Sequence, residues 1–172
     1  MPLKVALKIL DPRLADWGFP HYGSSLAAGL DLHACIDAPL VLRPQAEAVL
    51  ISAGIAFRIG DPRWCALVLP RSGLGHRQGL VLGNAVGVID ADYEGPLLIS
   101  AWNRNPARED DVAAGIVINP GDRIAQLVFT RVARAEFTVV AEFPDPSGRQ
   151  ESGFGSSGIA SACSNPAAGR HS

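Results

Sequence analysis

Between two of the most apolar runs of the chain lies "VIDADYEG" (88–95), which sets Asp90, Asp92, Tyr93 and Glu94 close together. Asp and Gly are ordinary hairpin residues, and acids keep a turn solvated. A carboxylate here is also ionised at neutral pH and suited to take a proton from water attacking a bound substrate. These residues alone leave both readings open.

A second segment, "LPRSGLGHRQG" (69–79), changes character as abruptly. Pro70 ends an apolar run, and Ser72 is placed to cap a short helix through its hydroxyl. Gly73 and Gly75 leave backbone amides unobstructed, while Arg71 and Arg77 add positive charge. Free N–H groups beside cations suit phosphate oxygens. The P-loop spacing is absent, so an N-capped turn without a ligand is the competing reading.

A third, "SGFGSSG" (152–158), puts one aromatic ring among glycines and hydroxyls. Glycines let backbone close over a ligand, Phe154 offers a stacking face, and Ser156 and Ser157 offer donors, which together suggest a lid. The alternative is a disordered tail. Cys35, Cys65 and Cys163 are odd in number and far apart, so neither a disulfide framework nor a zinc site is expected. His33 beside Cys35 is read as a strand neighbour pair rather than a metal site.

These segments must be held by strands. Short apolar runs recur as "PLVL" (39–42), "AVLISAGIAF" (48–57), "WCALVLP" (64–70), "GLVLGNAVGVI" (79–89), "PLLISAW" (96–102), "GIVI" (115–118) and "FTVVAEF" (137–143). Each is bounded by Gly, Pro, Asp or Asn, as strands are. "MPLKVALKIL" alternates Val5, Leu7 and Ile9 with lysines and predicts another strand rather than a signal peptide. "RIAQLVF" (123–129) fits a helical face in Ile124, Leu127 and Val128, but its Val and Phe favour a strand. The expected fold is all-β, a jelly-roll-like sandwich or a smaller barrel, in a core of residues 1–143. Residues 144–172, rich in Ser, Gly, Pro and Ala, read as a flexible C-terminal arm carrying the lid segment, and 103–115 as a long surface loop.

The 172 residues suffice for one domain, and a net charge of -2 with 19% charged residues argues against a nucleic-acid partner. No run is long and apolar enough for a membrane span, so a cytoplasmic protein without a membrane partner is expected.

Taken in order, "AGLDLHA" (28–34), "PRSGLG" (70–75), "GNAVGVIDADYEG" (83–95), "GDRIAQLVF" (121–129) and "RQESGFGSSG" (149–158) resemble the five motifs of the trimeric deoxyuridine triphosphatase (dUTPase) family. The resemblance implies a jelly-roll-like homotrimer with active sites shared between subunits. One subunit would supply the first, second and fourth motifs, another the third, and the remaining one the C-terminal lid. The implied reaction splits dUTP into dUMP and pyrophosphate, which keeps uracil out of DNA and supplies dUMP for thymidylate. Asp90 would hold the water that attacks the α-phosphorus, with Asp92 a turn residue. Tyr93 would lie under the deoxyribose and exclude a 2′-hydroxyl. The uracil would be read by backbone of the hairpin around Gly87, Val88, Ile89 and Leu98, with the amide of Asn84. Arg71, Ser72, Gly73 and Gln126 would hold phosphates; Arg149 would reach the γ-phosphate, Phe154 stack on uracil, and Gly155 and Ser156 contact phosphate. Mg²⁺ is expected on the triphosphate, with Asp31 either touching it through water or organising nearby strands.

Three features depart from that family: Gln150 replaces a usual Gly, the 103–115 loop is longer, and the chain runs on past Gly158. The rival readings are a dCTP deaminase of the same fold and a non-catalytic nucleotide-sensing regulator. The first needs a glutamate in the strand after the hairpin, where this chain has Ser100.

Overall fold

The structure is a computed structural model, and it describes residues 2–107 and 115–143. Among the described residues ten strands dominate: β1 (Ala6–Ile9), β2 (Leu30–His33), β3 (Leu40–Leu42), β4 (Val49–Arg58), β5 (Trp64–Pro70), β6 (Leu80–Leu82), β7 (Gly87–Ile89), β8 (Pro96–Asn103), β9 (Ile116–Ile118) and β10 (Arg123–Arg131). One short helix, α1 (Ser72–Arg77), follows β5, and a 3₁₀ turn spans Pro12–Leu14. The chain divides into a compact unit, Met1–Arg134, and a second, Ala135–Ser172.

The first unit is nearly all-β and jelly-roll-like. One antiparallel sheet has the order β1-β4-β8-β6, a second β2-β10-β5-β7, and β3 pairs with β9 as a ribbon. Strand alternation decides which side chains meet inside. Along β8, Leu97, Ile99, Ala101 and Asn103 are buried while Pro96 and Leu98 face outward. Ile51 and Ile55 of β4, Leu32 of β2 and Leu127 of β10 join them in one apolar core. Asn103 is buried because its amide is satisfied: Nδ2 donates to Leu42 O at 2.9 Å, and Oδ1 accepts from Asn105 N at 3.0 Å.

The ambiguous "RIAQLVF" segment is β10, paired with β2 on one side and β5 on the other. A central position supplies ladder partners on both edges, and that outweighs the helical spacing of its apolar residues. The run 79–89, read as one strand, is two, because the chain reverses between Leu82 and Gly87, where Ala85 adopts φ 60°. β6 and β7 thereby enter different sheets. The strand expected at 137–143 is not formed: these residues carry no ladder, and Phe137, Val139 and Phe143 are exposed. An extended segment without a paired neighbour leaves its backbone to water, whatever its side-chain propensity. Among the described residues no helix is long and apolar enough to cross a membrane.

At the end of the first-motif strand β2, His33 is buried, stacked on Trp17 at 5.9 Å and edge-on to Phe19 at 6.3 Å. Burial lowers its pKa from 6.5, and Asp31 opposes that shift while Arg123 and Arg71 add to it. Burial likewise pushes the Cys35 thiol up to about 12, so at neutral pH it stays an inert thiol.

Candidate functional site

The turn after β5 is built by its neighbours as much as by its own sequence. Ser72, expected as the helix cap, is the first helical residue; Arg71 holds the cap position with extended φ −82° and ψ 128° and makes no side-chain cap bond. A capping hydroxyl must come from the residue with non-helical dihedrals, and here that residue is an arginine whose side chain is engaged elsewhere. The first N–H groups of so short a helix have no intrahelical acceptor and remain available beside Ser72 and Gly73.

Arg71 is fixed by two contacts. Its Nε lies 3.0 Å from Asp31 Oδ1, and its Nη1 donates to Arg123 O at 2.8 Å. The other carboxylate oxygen, Oδ2, accepts from Arg123 Nη1 at 3.0 Å. Asp31 is therefore clamped between two guanidinium groups, one from the second motif and one from the fourth. The carboxylate thereby links β2 to the turn after β5 and to β10. Gln126 faces Asp31 across the β10–β2 pairing and donates from Nε2 to Pro70 O at 3.0 Å. With Ser72, Gly73, Leu74 and Arg77, these residues line a pocket of about 290 Å³.

Two residues that sequence reasoning missed help shape this pocket. Arg123 is half of the clamp on Asp31, and its signal was present in the charged opening of "GDRIAQ". Gly29 leaves room for Gln126: a Cβ at position 29 would run into the Gln126 Oε1. Gly29→Ala is accordingly expected to displace the Gln126 amide, raising KM for a phosphate-bearing substrate by roughly tenfold with a smaller change in stability. Steady-state kinetics beside a thermal melt would check this, and an unchanged KM would remove Gly29 from the site.

The acid-bearing segment is placed elsewhere. Asp90 follows β7 and is exposed; its carbonyl accepts from Tyr93 N at 3.3 Å, closing a tight turn. Tyr93 is half-exposed, its hydroxyl donating to Pro96 O at 3.1 Å, and Glu94 pairs with Arg58 at 3.0 Å. Asp92 is an exposed turn residue, as expected. β7 pairs with β5 through Gly87, Val88 and Ile89 and lies at the edge of its sheet, so its outer backbone edge has no ladder partner among the described residues. Asn84 is exposed in the turn before it, and Leu98 faces outward on β8.

Asp90 and Val88 line a different pocket, of about 510 Å³, with Trp64, Cys65, Asp92 and Arg134. The two pockets share no residue. One chain thus brings together Asp31, Arg71, Ser72, Gly73 and Gln126 but does not bring Asp90 or Tyr93 to them. Arg149, Phe154, Gly155 and Ser156 lie outside the described residues. No cluster of three or more His, Cys, Asp or Glu side chains able to hold a metal occurs among the described residues.

The dUTPase family model matches residues 15–158. A deoxyuridine 5′-triphosphate nucleotidohydrolase of Albidiferax ferrireducens is 53% identical over 156 residues, covering 91% of this chain and 98% of the relative. One from Xanthomonas oryzae pv. oryzae is 53% identical over 154 residues, covering 89% and 94%. Among solved structures, a Staphylococcus bacteriophage 80alpha dUTPase mutant with dUpNHpp superimposes with a TM-score of 0.77 at 28% identity, covering 91% of this chain and 99% of that one. A mutant dUTPase from phage phi11 of S. aureus, whose structure details the coordination of a structural Mg(II) ion, gives a TM-score of 0.70 at 25% identity, covering 83% and 99%. Agreement over nearly the full length, in sequence and in fold alike, establishes that this chain belongs to the dUTPase family.

Proposed function

We propose that the protein hydrolyses dUTP to dUMP and pyrophosphate as a homotrimer whose active sites each draw on more than one subunit. The observation that carries this reading is the pocket where a clamped Arg71, Ser72, Gly73 and Gln126 converge, a set of donors suited to phosphate oxygens. Arg71 is held in place before substrate arrives, so little side-chain ordering remains to be done on binding. The separation of this pocket from the Asp90 hairpin supports a shared site: a second subunit would present its hairpin to the first subunit's phosphate pocket.

In that arrangement Asp90 holds a water against the α-phosphorus and accepts its proton as the new P–O bond forms and pyrophosphate departs. Tyr93, tied to Pro96 O, presents a fixed ring beneath the sugar, where a 2′-hydroxyl would clash. The open backbone edge of β7 at Gly87, Val88 and Ile89, with Leu98 and the Asn84 amide, reads the uracil ring. Cytosine exchanges a donor for an acceptor and would leave buried backbone groups unpaired. Arg149, Phe154, Gly155 and Ser156, which lie outside the described residues, are the ones the family resemblance assigns to the γ-phosphate and the base.

Mg²⁺, when bound with the substrate, would supply charge neutralisation on the phosphate chain. The protein offers no cage of its own among the described residues, and both Asp31 oxygens are already paired with arginines. Asp31, held by these arginines, is the residue that would reach the ion through a metal-bound water. A deaminase of this fold would need a carboxylate where β8 carries the hydroxyl of Ser100.

Chromatographic product analysis with Mg²⁺ on dUTP, dCTP, dTTP and UTP tests the proposal. Formation of dUMP and pyrophosphate from dUTP alone is expected. A deaminated product from dCTP would overturn the Ser100 argument, and no reaction with any nucleotide would favour a regulator.

A further inference from the structure

Arg77 is exposed and stands out in the sequence only for its charge, but its guanidinium lines the phosphate pocket. It ends α1, four residues after Gly73, and residues at that spacing share a helix face. Helical side chains lean toward the N-terminus. The guanidinium accordingly lies over Gly73, with Nη2 3.0 Å from the point where a Cβ at that position would stand. The missing side chain of Gly73 makes room for the guanidinium above a turn that lines the pocket.

The charges of the pocket are unequally committed. Two guanidinium groups, from Arg71 and Arg77, line it against the single carboxylate of Asp31. Arg71 is paired with that carboxylate, whose second oxygen is taken by Arg123. Among the described residues no carboxylate pairs with Arg77. Its charge is the one left for an anion that enters.

The turn that carries Arg77 is also held from behind. Arg104 Nη2 donates to Gly75 O at 2.9 Å, Arg104 N to Gly79 O at 3.0 Å, and Asn105 Nδ2 to Gln78 O at 2.7 Å. These contacts come from the start of the long 103–115 segment and flank Arg77 in sequence on both sides. They fix the backbone from which the guanidinium projects, as recognition of a phosphate chain requires.

We infer that Arg77 is a further substrate-binding residue that makes a charge-assisted contact to the phosphate chain of the bound nucleotide. The inference rests on the reading of this pocket as the triphosphate site. It assigns to Arg77 a contact that deoxyuridine, which lacks phosphate, cannot make.

The test is titration calorimetry of full-length wild type, Arg77→Ala and Arg77→Lys with dUpNHpp and with deoxyuridine. Arg77→Ala is expected to raise the Kd for dUpNHpp by about tenfold and leave that for deoxyuridine unchanged. Arg77→Lys should recover part of the loss, because an ammonium keeps the charge but not the planar fork. An unchanged Kd for dUpNHpp in Arg77→Ala would overturn the inference, and so would an equal loss of both ligands, which marks a structural role. A wild type that binds neither ligand would instead remove the function on which the inference rests.

Discussion

Asp90→Asn is expected to bind dUpNHpp as the wild type does while turnover of dUTP falls by roughly 10²–10⁴-fold. The substitution keeps the size and planarity of the side chain and removes only its charge and its capacity to take a proton. Asp90 is exposed beyond the end of β7, and its backbone carbonyl, not its side chain, closes the turn to Tyr93 N. The fold therefore has little to lose, and the whole loss should fall on kcat rather than on binding. Single-turnover hydrolysis beside an analogue-binding isotherm would separate the two. Undiminished turnover would remove Asp90 from the mechanism.

Truncation after Gly148 is expected to lower activity on the order of 100-fold while leaving the first unit folded. The family match extends to residue 158, so the cut removes Arg149, Phe154, Gly155 and Ser156 from the matched region. The cores of both sheets lie within Met1–Arg134, and none of their buried residues is touched. Binding energy from residues over the base and γ-phosphate would be lost, and with it the positioning of the α-phosphorus. Activity assays paired with a thermal melt would decide; a fully active truncate would sink the lid proposal.

How much of this was legible in sequence depended on whether the deciding partner was near or far along the chain. The strands β4, β5 and β8 were plain because alternation and turn residues are local signals. β2 escaped the apolar-run reading because Asp31 and His33 interrupt it, and His33 is buried only because Trp17 and Phe19 cover it. Ser72 was misplaced by one residue as a cap, since the conformation of Arg71 is set by Asp31 and Arg123, distant in sequence. The expected strand at 137–143 failed for a related reason: β propensity describes a surface that needs a neighbour, and no neighbour is written into the segment. The turn after β5 stood out by its glycines and cations, whereas the clamp that orients Arg71 required the fold.

The division of one chain's functional residues between two pockets that share no lining has a genetic meaning. If each site takes its hairpin from one subunit and its phosphate pocket from another, a chain damaged at Arg71 and a chain damaged at Asp90 are inactive for different reasons. Co-assembled, they would pair an intact pocket with an intact hairpin at some of their interfaces. Two dead alleles would then complement each other, and the unit on which selection acts would be the assembly rather than the polypeptide.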